Sequence, residues 1–337
     1  MGIKELKILI DKNTINAVSK VNYNELNNQK IAIDISIYLY KFSYGGGKNF
    51  ISNFLNQIIL FKKYNITPIY VFDGKPPDEK QNVLKSRKDL KKTKYERKEE
   101  IEKKIVDINK NIDENQNDEQ SLIFYKDHKK LLNKELNKLK MSIISLNSND
   151  ISNLKTLFDL LNIKYILADT EAEIICSYLC YKGLVDGCLS NDTDILPNNG
   201  LVFYTNYNGN TDYLIKYDLK IILEELGLSY EEFIDLCILC GCDYTIKIKN
   251  IGYVTALKLI KKYKNIETIL ENIKDIKKHD INEEFINKFY YNKAREIFKN
   301  QNFNYKLDFQ DNNVDFDLIK IFFSENNIKF DISKLMC

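Results

Sequence analysis

The chain has 337 residues, of which 44% are hydrophobic and 29% charged, so it can bury a large core and is not a disordered polypeptide. No apolar run reaches the roughly 18 residues a membrane-spanning helix needs, and the N-terminus lacks the charged-then-apolar pattern of a secretory signal. The formal net charge of +2 (50 Lys and Arg against 48 Asp and Glu) carries no partner signal by itself.

Met1-Gly2 opens the chain, but position 6 is Leu6, where N-myristoylation requires Ser or Thr. Seven cysteines, an odd number, fit reduced thiols better than a disulfide framework. An intracellular setting is expected. Only 4 Pro and 12 Gly occur, so no flexible linker divides the chain.

In chain order, Ile31-Ala32-Ile33-Asp34 reads as a strand, and residues 49–64 have the apolar spacing of a helix. Ile69-Tyr70-Val71-Phe72 is a strand ending at Asp73. Residues 80–140 carry no strand signal and are rich in Lys, Glu, Asp and Asn. Between Lys85 and Lys110 there are 11 Lys/Arg against 6 Asp/Glu. Such a run is either a solvated helical hairpin with i,i+4 ion pairs or an insertion that handles nucleic acid. Residues 164–167 read as a short strand, 171–182 as a helix and 187–190 as a strand running into Asn191-Asp192. From about 217 onward the pattern is helical. This alternation predicts an α/β fold with a mainly parallel central sheet flanked by helices.

The acids fall at telling places. Asp34, Asp73 and the Asp192/Asp194 pair each follow an apolar strand, and open α/β sheets build their sites beyond the carboxyl ends of the strands. Glu171 and Glu173 converge only if they sit at a helix start. There Thr170-x-x-Glu173 fits a capping box, which is the structural alternative for Glu173. Asp243, in Gly241-Cys242-Asp243-Tyr244, ends an apolar helix over 233–240; its alternative is a turn residue. Taken singly, each acid is more often structural. Gathered together, seven carboxylates stay ionised near neutral pH only with compensating cations, and hard divalent ions are the natural partners. With those seven withdrawn, 50 basic side chains face 41 acidic ones, an excess of +9 that suits a phosphate-binding surface.

The chain resembles the flap endonucleases, within the structure-specific 5′ nucleases that include the excision-repair nuclease and the 5′-to-3′ DNA exonuclease. The resemblance rests on Met1-Gly2-Ile3-Lys4, Ile31-Ala32-Ile33-Asp34, Val71-Phe72-Asp73-Gly74-Lys75-Pro76-Pro77-Asp78, Glu171-Ala172-Glu173, Asn191-Asp192-Thr193-Asp194, the 233–244 stretch, Ile251-Gly252 and Thr255-Ala256-Leu257-Lys258-Leu259-Ile260, in the family's order. It implies a Mg²⁺-dependent 5′ flap endonuclease of DNA replication and repair, with two ions (Mn²⁺ able to substitute) held by Asp34, Asp73, Glu171, Glu173, Asp192, Asp194 and Asp243. It implies catalytic roles for Asp34, Asp73, Glu171 and Asp192, and for Lys80 and Arg87 as the basic pair at the foot of a helical arch that contacts the scissile phosphate.

Further DNA contacts implied by the resemblance are Gly2, the small N-terminal residue close to the DNA, and Tyr40, a stacking platform whose alternative is a core residue. A helix–two-turn–helix at about 229–263 is also implied. There Lys247, Lys249, Gly252, Thr255 and Lys258, with a K⁺ ion, hold the duplex. The organisation implied is one α/β core over 1–300, an arch insertion at about 78–146 and a segment 301–337 packed on the core. The partner is branched DNA (5′ flap, nicked or gapped duplex). A monomer is expected, acting in the nucleus or another site of DNA replication.

There are departures from the family. Asn250 and Tyr253 stand where glycines are usual, which puts the turn and the K⁺ site in question. The Asp34–Asp73 gap is short and contains Gly45-Gly46-Gly47, so the loop that holds a 3′ flap is expected to be trimmed or rebuilt. The Asp73–Glu171 gap is long, so the arch or its cap is expected to be enlarged around 109–125. No clamp-binding motif of the Gln-x-x-apolar-x-x-aromatic-aromatic type occurs. Cys237-x-x-Cys240-x-Cys242 lacks a second ligand pair and reads as buried thiols rather than zinc. No phosphate-cradling glycine loop and no serine nucleophile motif is present. Two other readings remain: a 5′-to-3′ exonuclease or junction resolvase on the same scaffold, and a non-catalytic branched-DNA-binding factor.

Overall fold

The computed structural model describes residues 2–44, 50–114, 118–143, 146–207, 209–272, 283–307 and 313–336. The Gly45-Gly46-Gly47 triple, and with it the expected rebuilt loop, lies outside the described residues. In chain order the elements are α1 (Leu6–Asn13), β1 (Val18–Asn22), β2 (Lys30–Asp34), α2 (Ile35–Tyr44), α3 (Phe50–Lys63), β3 (Thr67–Phe72), α4 (Gln81–Glu114), α5 (Glu119–Ile143), α6 (Ser148–Leu160), β4 (Tyr165–Leu167), α7 (Ala172–Tyr181), β5 (Gly187–Leu189), β6 (Val202–Thr205) and β7 (Tyr213–Asp218). There follow α8 (Leu219–Leu226), α9 (Tyr230–Cys240), α10 (Tyr253–Tyr263), α11 (Ile266–Glu271), α12 (Glu283–Lys288), α13 (Tyr291–Lys299) and α14 (Phe316–Glu325).

The seven strands form one mixed sheet in the order β1-β7-β6-β5-β2-β3-β4. The pairings β2–β3, β2–β5, β3–β4 and β5–β6 are parallel, and β7 pairs antiparallel with both β6 and β1. The mainly parallel sheet expected from the sequence is therefore present, with an antiparallel edge added. Both faces of the parallel part are covered, which is why its strands read as continuous apolar runs. Alternate residues go to opposite faces. Ala32, Ile69, Val71 and Cys188 join a core with α1, α7, α9 and α10. Ile31, Ile33, Tyr70, Phe72 and Leu189 join a second core with α2, α3, α6 and α14.

The basic stretch folds as an antiparallel pair, α4 and α5, with its own small core of Ile101, Ile108, Leu132 and Leu136. Pairs such as Lys92–Glu96 and Lys104–Glu100 run along its surface, and Arg97 on α4 bridges to Glu135 on α5. Of the stretch 109–125, where an enlarged arch or cap was expected, residues 109–114 are the end of α4 and 119–125 the start of α5, and 115–117 lie outside the described residues. At 34 residues, α4 alone is about 50 Å long.

In the second core Phe158 of α6 stacks on Tyr70 at 4.6 Å between ring centroids and meets Phe54 edge-on at 6.0 Å. Phe158→Ala should lower stability by about 3–5 kcal/mol, read as a lower urea midpoint at an unchanged denaturant slope.

Candidate active site

Four adjacent parallel strands, in the order β5-β2-β3-β4, end at one edge of the sheet. Asp34 is the last residue of β2, and Asp73 directly follows β3. Beyond β4 the chain reaches Glu171, the N-cap of α7, with Glu173 in the first turn. Beyond β5 it reaches Asp192, the N-cap of a 3₁₀ turn over Thr193–Ile195 that carries Asp194. Asp243 arrives not from a strand end but from beyond α9, which shares a core with α7. Helix α9 starts on a reciprocal Ser229/Glu232 cap and ends at Gly241, whose φ of 110° only glycine adopts without strain. The capping box at Thr170 does not form: α7 is capped at Glu171, in extended conformation and without a side-chain cap bond.

Backbone and hydroxyl donors hold the acids. The Ser36 N–H donates to Asp34 Oδ1 at 3.1 Å, and the Ser190 hydroxyl donates to Asp34 Oδ2 at 2.8 Å. The Ser36 hydroxyl donates to Asp73, which also accepts the Ala172 N–H at 2.8 Å. Asp192 Oδ1 accepts the Asp194 N–H at 3.1 Å, and the Tyr244 hydroxyl donates to Glu171 Oε2 at 3.0 Å. Ser36, Ser190 and Tyr244 were not singled out in the sequence. The signal available was position: two are serines within two residues of a site aspartate, and Tyr244 is the neighbour of Asp243.

Lys80 and Arg87 reach the same acids. Lys80 lies in a 3₁₀ turn just before α4 and is only 4% exposed. Its ammonium pairs with Glu171 and lies 3.6 Å from both Glu173 and Asp243. Arg87, on the first turns of α4, pairs with Asp243 at 2.8 Å. Both cations therefore meet at one carboxylate, as their spacing allows.

Burial decides the protonation here. It pushes the Asp34 carboxyl up to about 7, helped by the charge of Asp73. Burial, then the neighbouring acids, also raise Glu173 and Asp194 well above the usual carboxylate range, and burial raises Asp192. Burial alone would lower Lys80, but Glu173 and Glu171 outweigh it and keep the ammonium charged.

Both oxygens of Asp194 are buried with no hydrogen-bond partner. A buried carboxylate with all its lone pairs open is costly unless a cation approaches, so the donor set fits hard divalent ions. Among the described residues no three His, Cys, Asp or Glu side chains converge into a ready-made metal cage. Three of the acids, Glu171, Glu173 and Asp243, gather around Lys80 instead.

Gly2 (φ 82°) lies against this site: a Cβ there would come within 2.1 Å of Asp192 and 2.8 Å of Asp194. Tyr40 on α2 is 54% exposed and not a core residue. With Ser36, Arg87, Leu90 and Lys94 it lines a cleft of about 490 Å³ between α2 and the α4–α5 hairpin. The remaining predicted DNA contacts form a second group. Gly252 is the N-cap of α10, Thr255 lies in its first turn, Lys258 is exposed on it, and Lys247 and Lys249 precede it. Asn250 takes the left-handed conformation (φ 65°), while Tyr253 is simply the first residue of α10 and needs no glycine-like backbone. Cys237 and Cys240 are buried in α9 with thiols raised by burial, consistent with core packing.

The chain matches the XPG N-terminal domain over residues 1–94 and the XPG I-region over residues 162–243. It is 31% identical to flap endonuclease 1 of Cryptosporidium muris (strain RN66), over 92% of this chain and 65% of that one. Against flap endonuclease 1 of Caenorhabditis elegans the figures are 32%, 89% and 75%. The solved catalytic core of Rad2 in complex with DNA substrate superposes with a TM-score of 0.67 at 20% identity, covering 96% of this chain and 94% of that one, a likeness of fold. Fold and sequence together define a DNA-binding nuclease of the XPG type. Within that class, the chain belongs to the flap endonuclease family, whose members are metal-dependent. No helix among the described residues is long and apolar enough to cross a membrane.

Because the folded pKa of Asp34 lies above the unfolded value of about 4, its contribution to stability is full below that value and is lost as pH rises through about 7. In chelator, the melting temperature should fall more steeply between pH 4 and 8 for the native chain than for Asp34→Asn. Equal slopes would contradict this.

Proposed function

We propose that this flap endonuclease hydrolyses DNA at 5′-flap/duplex junctions with two Mg²⁺ ions held by Asp34, Asp73, Glu171, Glu173, Asp192, Asp194 and Asp243. The observation that carries the reading is Asp194: a wholly buried, unpartnered carboxylate among acids delivered from four neighbouring strand ends. Bound Mg²⁺, which Mn²⁺ can replace, would supply Lewis-acid stabilisation of the attacking and leaving oxygens.

This chain's own residues do the rest. Asp34, Asp73, Glu171 and Asp192 fix the ligand geometry, and Ser36 and Ser190 keep the acids of β2 and β3 oriented. Lys80 and Arg87, at the root of the α4–α5 hairpin, offset the charge that grows on the scissile phosphate. The hairpin is the arch under which the 5′ strand passes, and Tyr40 offers a ring for stacking the base beside the cut. Gly2 leaves room for close approach of the DNA. The duplex rests on the start of α10, where open backbone N–H groups, Thr255 and Lys247, Lys249 and Lys258 meet phosphates. The left-handed Asn250 preserves the turn that would hold K⁺. The protein acts as a monomer on branched DNA, at a site of DNA replication such as the nucleus. Water attacks in line, leaving a 5′ phosphate and a 3′ hydroxyl.

A labelled 5′-flap duplex with Mg²⁺ tests this. The native chain should cut at the junction in preference to blunt duplex or four-way junctions. Asp192→Ala should lose at least about 10³-fold in rate and Arg87→Ala about 10²-fold. Undiminished cutting by Asp192→Ala would overturn the metal assignment.

A further inference from the structure

Residues 301–307 form no helix or strand, yet their burial alternates. Gln301, Phe303, Tyr305 and Leu307 are half-buried, while Asn302, Asn304 and Lys306 are exposed. A period of two marks an extended segment with one inward face. Phe303, Tyr305 and Leu307 pack on the core that contains α7 and α9, and Tyr178 of α7 meets the rings of Phe303 and Tyr305 at 5.5 and 6.2 Å.

The polar groups of this segment reach three places behind the carboxylates. Gln301 Nε2 donates to the carbonyl of Asn198 at 3.2 Å, and Asn198 in turn donates through its backbone and its amide to the carbonyl of Asp194, at 3.1 and 2.7 Å. The Phe303 carbonyl accepts from the Tyr178 hydroxyl at 2.6 Å. The Tyr305 hydroxyl accepts the Asp169 N–H at 2.9 Å and donates to the Asp169 carboxylate at 2.8 Å.

Asp169 stands two residues before Glu171. The loop it belongs to is also held from the opposite side. Its Thr170 carbonyl accepts the Gly74 N–H at 2.7 Å, and the Ala172 N–H donates to Asp73 at 2.8 Å. Gly74 has no space for a side chain: a Cβ would lie 1.9 Å from the Ala168 carbonyl oxygen. The segment that aims Glu171 and Glu173 is thus clamped between Asp73-Gly74 and Tyr305.

We infer that Tyr305, acting through Asp169, is a positioning residue for Glu171 and Glu173, and that residues 301–307 are a strap holding the two acid-bearing loops at the spacing the ions need. This rests on the two-ion reading above. A tyrosine that only packs would do its work through its ring. Tyr305→Phe keeps the ring and removes both hydrogen bonds.

The test is Mn²⁺ titration of the full chain by calorimetry without DNA, together with melting in chelator and the Mg²⁺ dependence of flap cleavage. Tyr305→Phe should weaken Mn²⁺ binding about 3- to 10-fold and raise the half-saturating Mg²⁺ to match. The KM for DNA, the kcat at saturating Mg²⁺ and the melting temperature in chelator should stay near native values. Asp169→Ala, which loses the carboxylate bond but keeps the backbone N–H bond to Tyr305, should shift binding in the same direction by no more than Tyr305→Phe does, and adding it to Tyr305→Phe should give nothing further. Asn304→Ala, on the outward face, should bind as the native chain does. Unchanged Mn²⁺ affinity in Tyr305→Phe, whether or not its melting temperature falls, would overturn the inference. If the native chain itself bound no Mn²⁺, the two-ion reading would fail first, so the two failures are distinguishable.

Discussion

Crowded negative charge in a water-poor pocket is the constraint on which the site depends. Burial pushes Asp34, Glu173, Asp192 and Asp194 toward their protonated forms, and each neighbouring acid pushes Asp34, Glu173 and Asp194 further. Opposite charge has to come from somewhere. Part of it is internal: the Lys80 ammonium sits among Glu171, Glu173 and Asp243, with Arg87 on Asp243. That balance is incomplete, because Asp194 has no donor at all. A fold that keeps such a carboxylate unpaired carries a standing cost, and binding of cations is what removes it.

Topology makes the crowding unavoidable. Parallel strands all deliver their C-terminal ends to one edge, so acids placed after β2, β3, β4 and β5 must meet. Asp243 adds a link of another kind. It follows α9, which packs in the core shared with α7, and is gripped by the two cations at the root of the α4–α5 hairpin. Sheet, hairpin and the α9–α10 pair therefore share one electrostatic point. A displacement of the hairpin root would alter the charge balance around the acids directly.

The strands that carry acids were legible because each is an apolar run ending in Asp. Most helices from 217 onward were legible for a similar reason. Strands β1, β6 and β7 were not. β1 buries only Val21 of its five residues and carries Lys20 and Asn22, so its pattern does not stand out from a surface loop. The place of Lys80 near the acids came only from the family resemblance, and its burial from neither resemblance nor pattern: a lysine in a charged run is normally solvated. Thr170-x-x-Glu173 satisfies the capping pattern, yet the chain enters the helix one residue later because Asp73 takes the Ala172 N–H and the Thr170 carbonyl is held by Gly74. Tyr305 lies 136 positions from the residue it holds, and nothing local announces such a contact.

Diffraction from crystals grown in Mn²⁺ and measured at the manganese absorption edge would locate the ions among the acids. Two anomalous peaks about 4 Å apart are expected among Asp34, Asp73, Glu171, Glu173, Asp192, Asp194 and Asp243, one of them touching Asp194, with the Lys80 ammonium withdrawn from Glu171. Crystals that show no manganese at these side chains, and Lys80 still seated between Glu171 and Asp243, would contradict it.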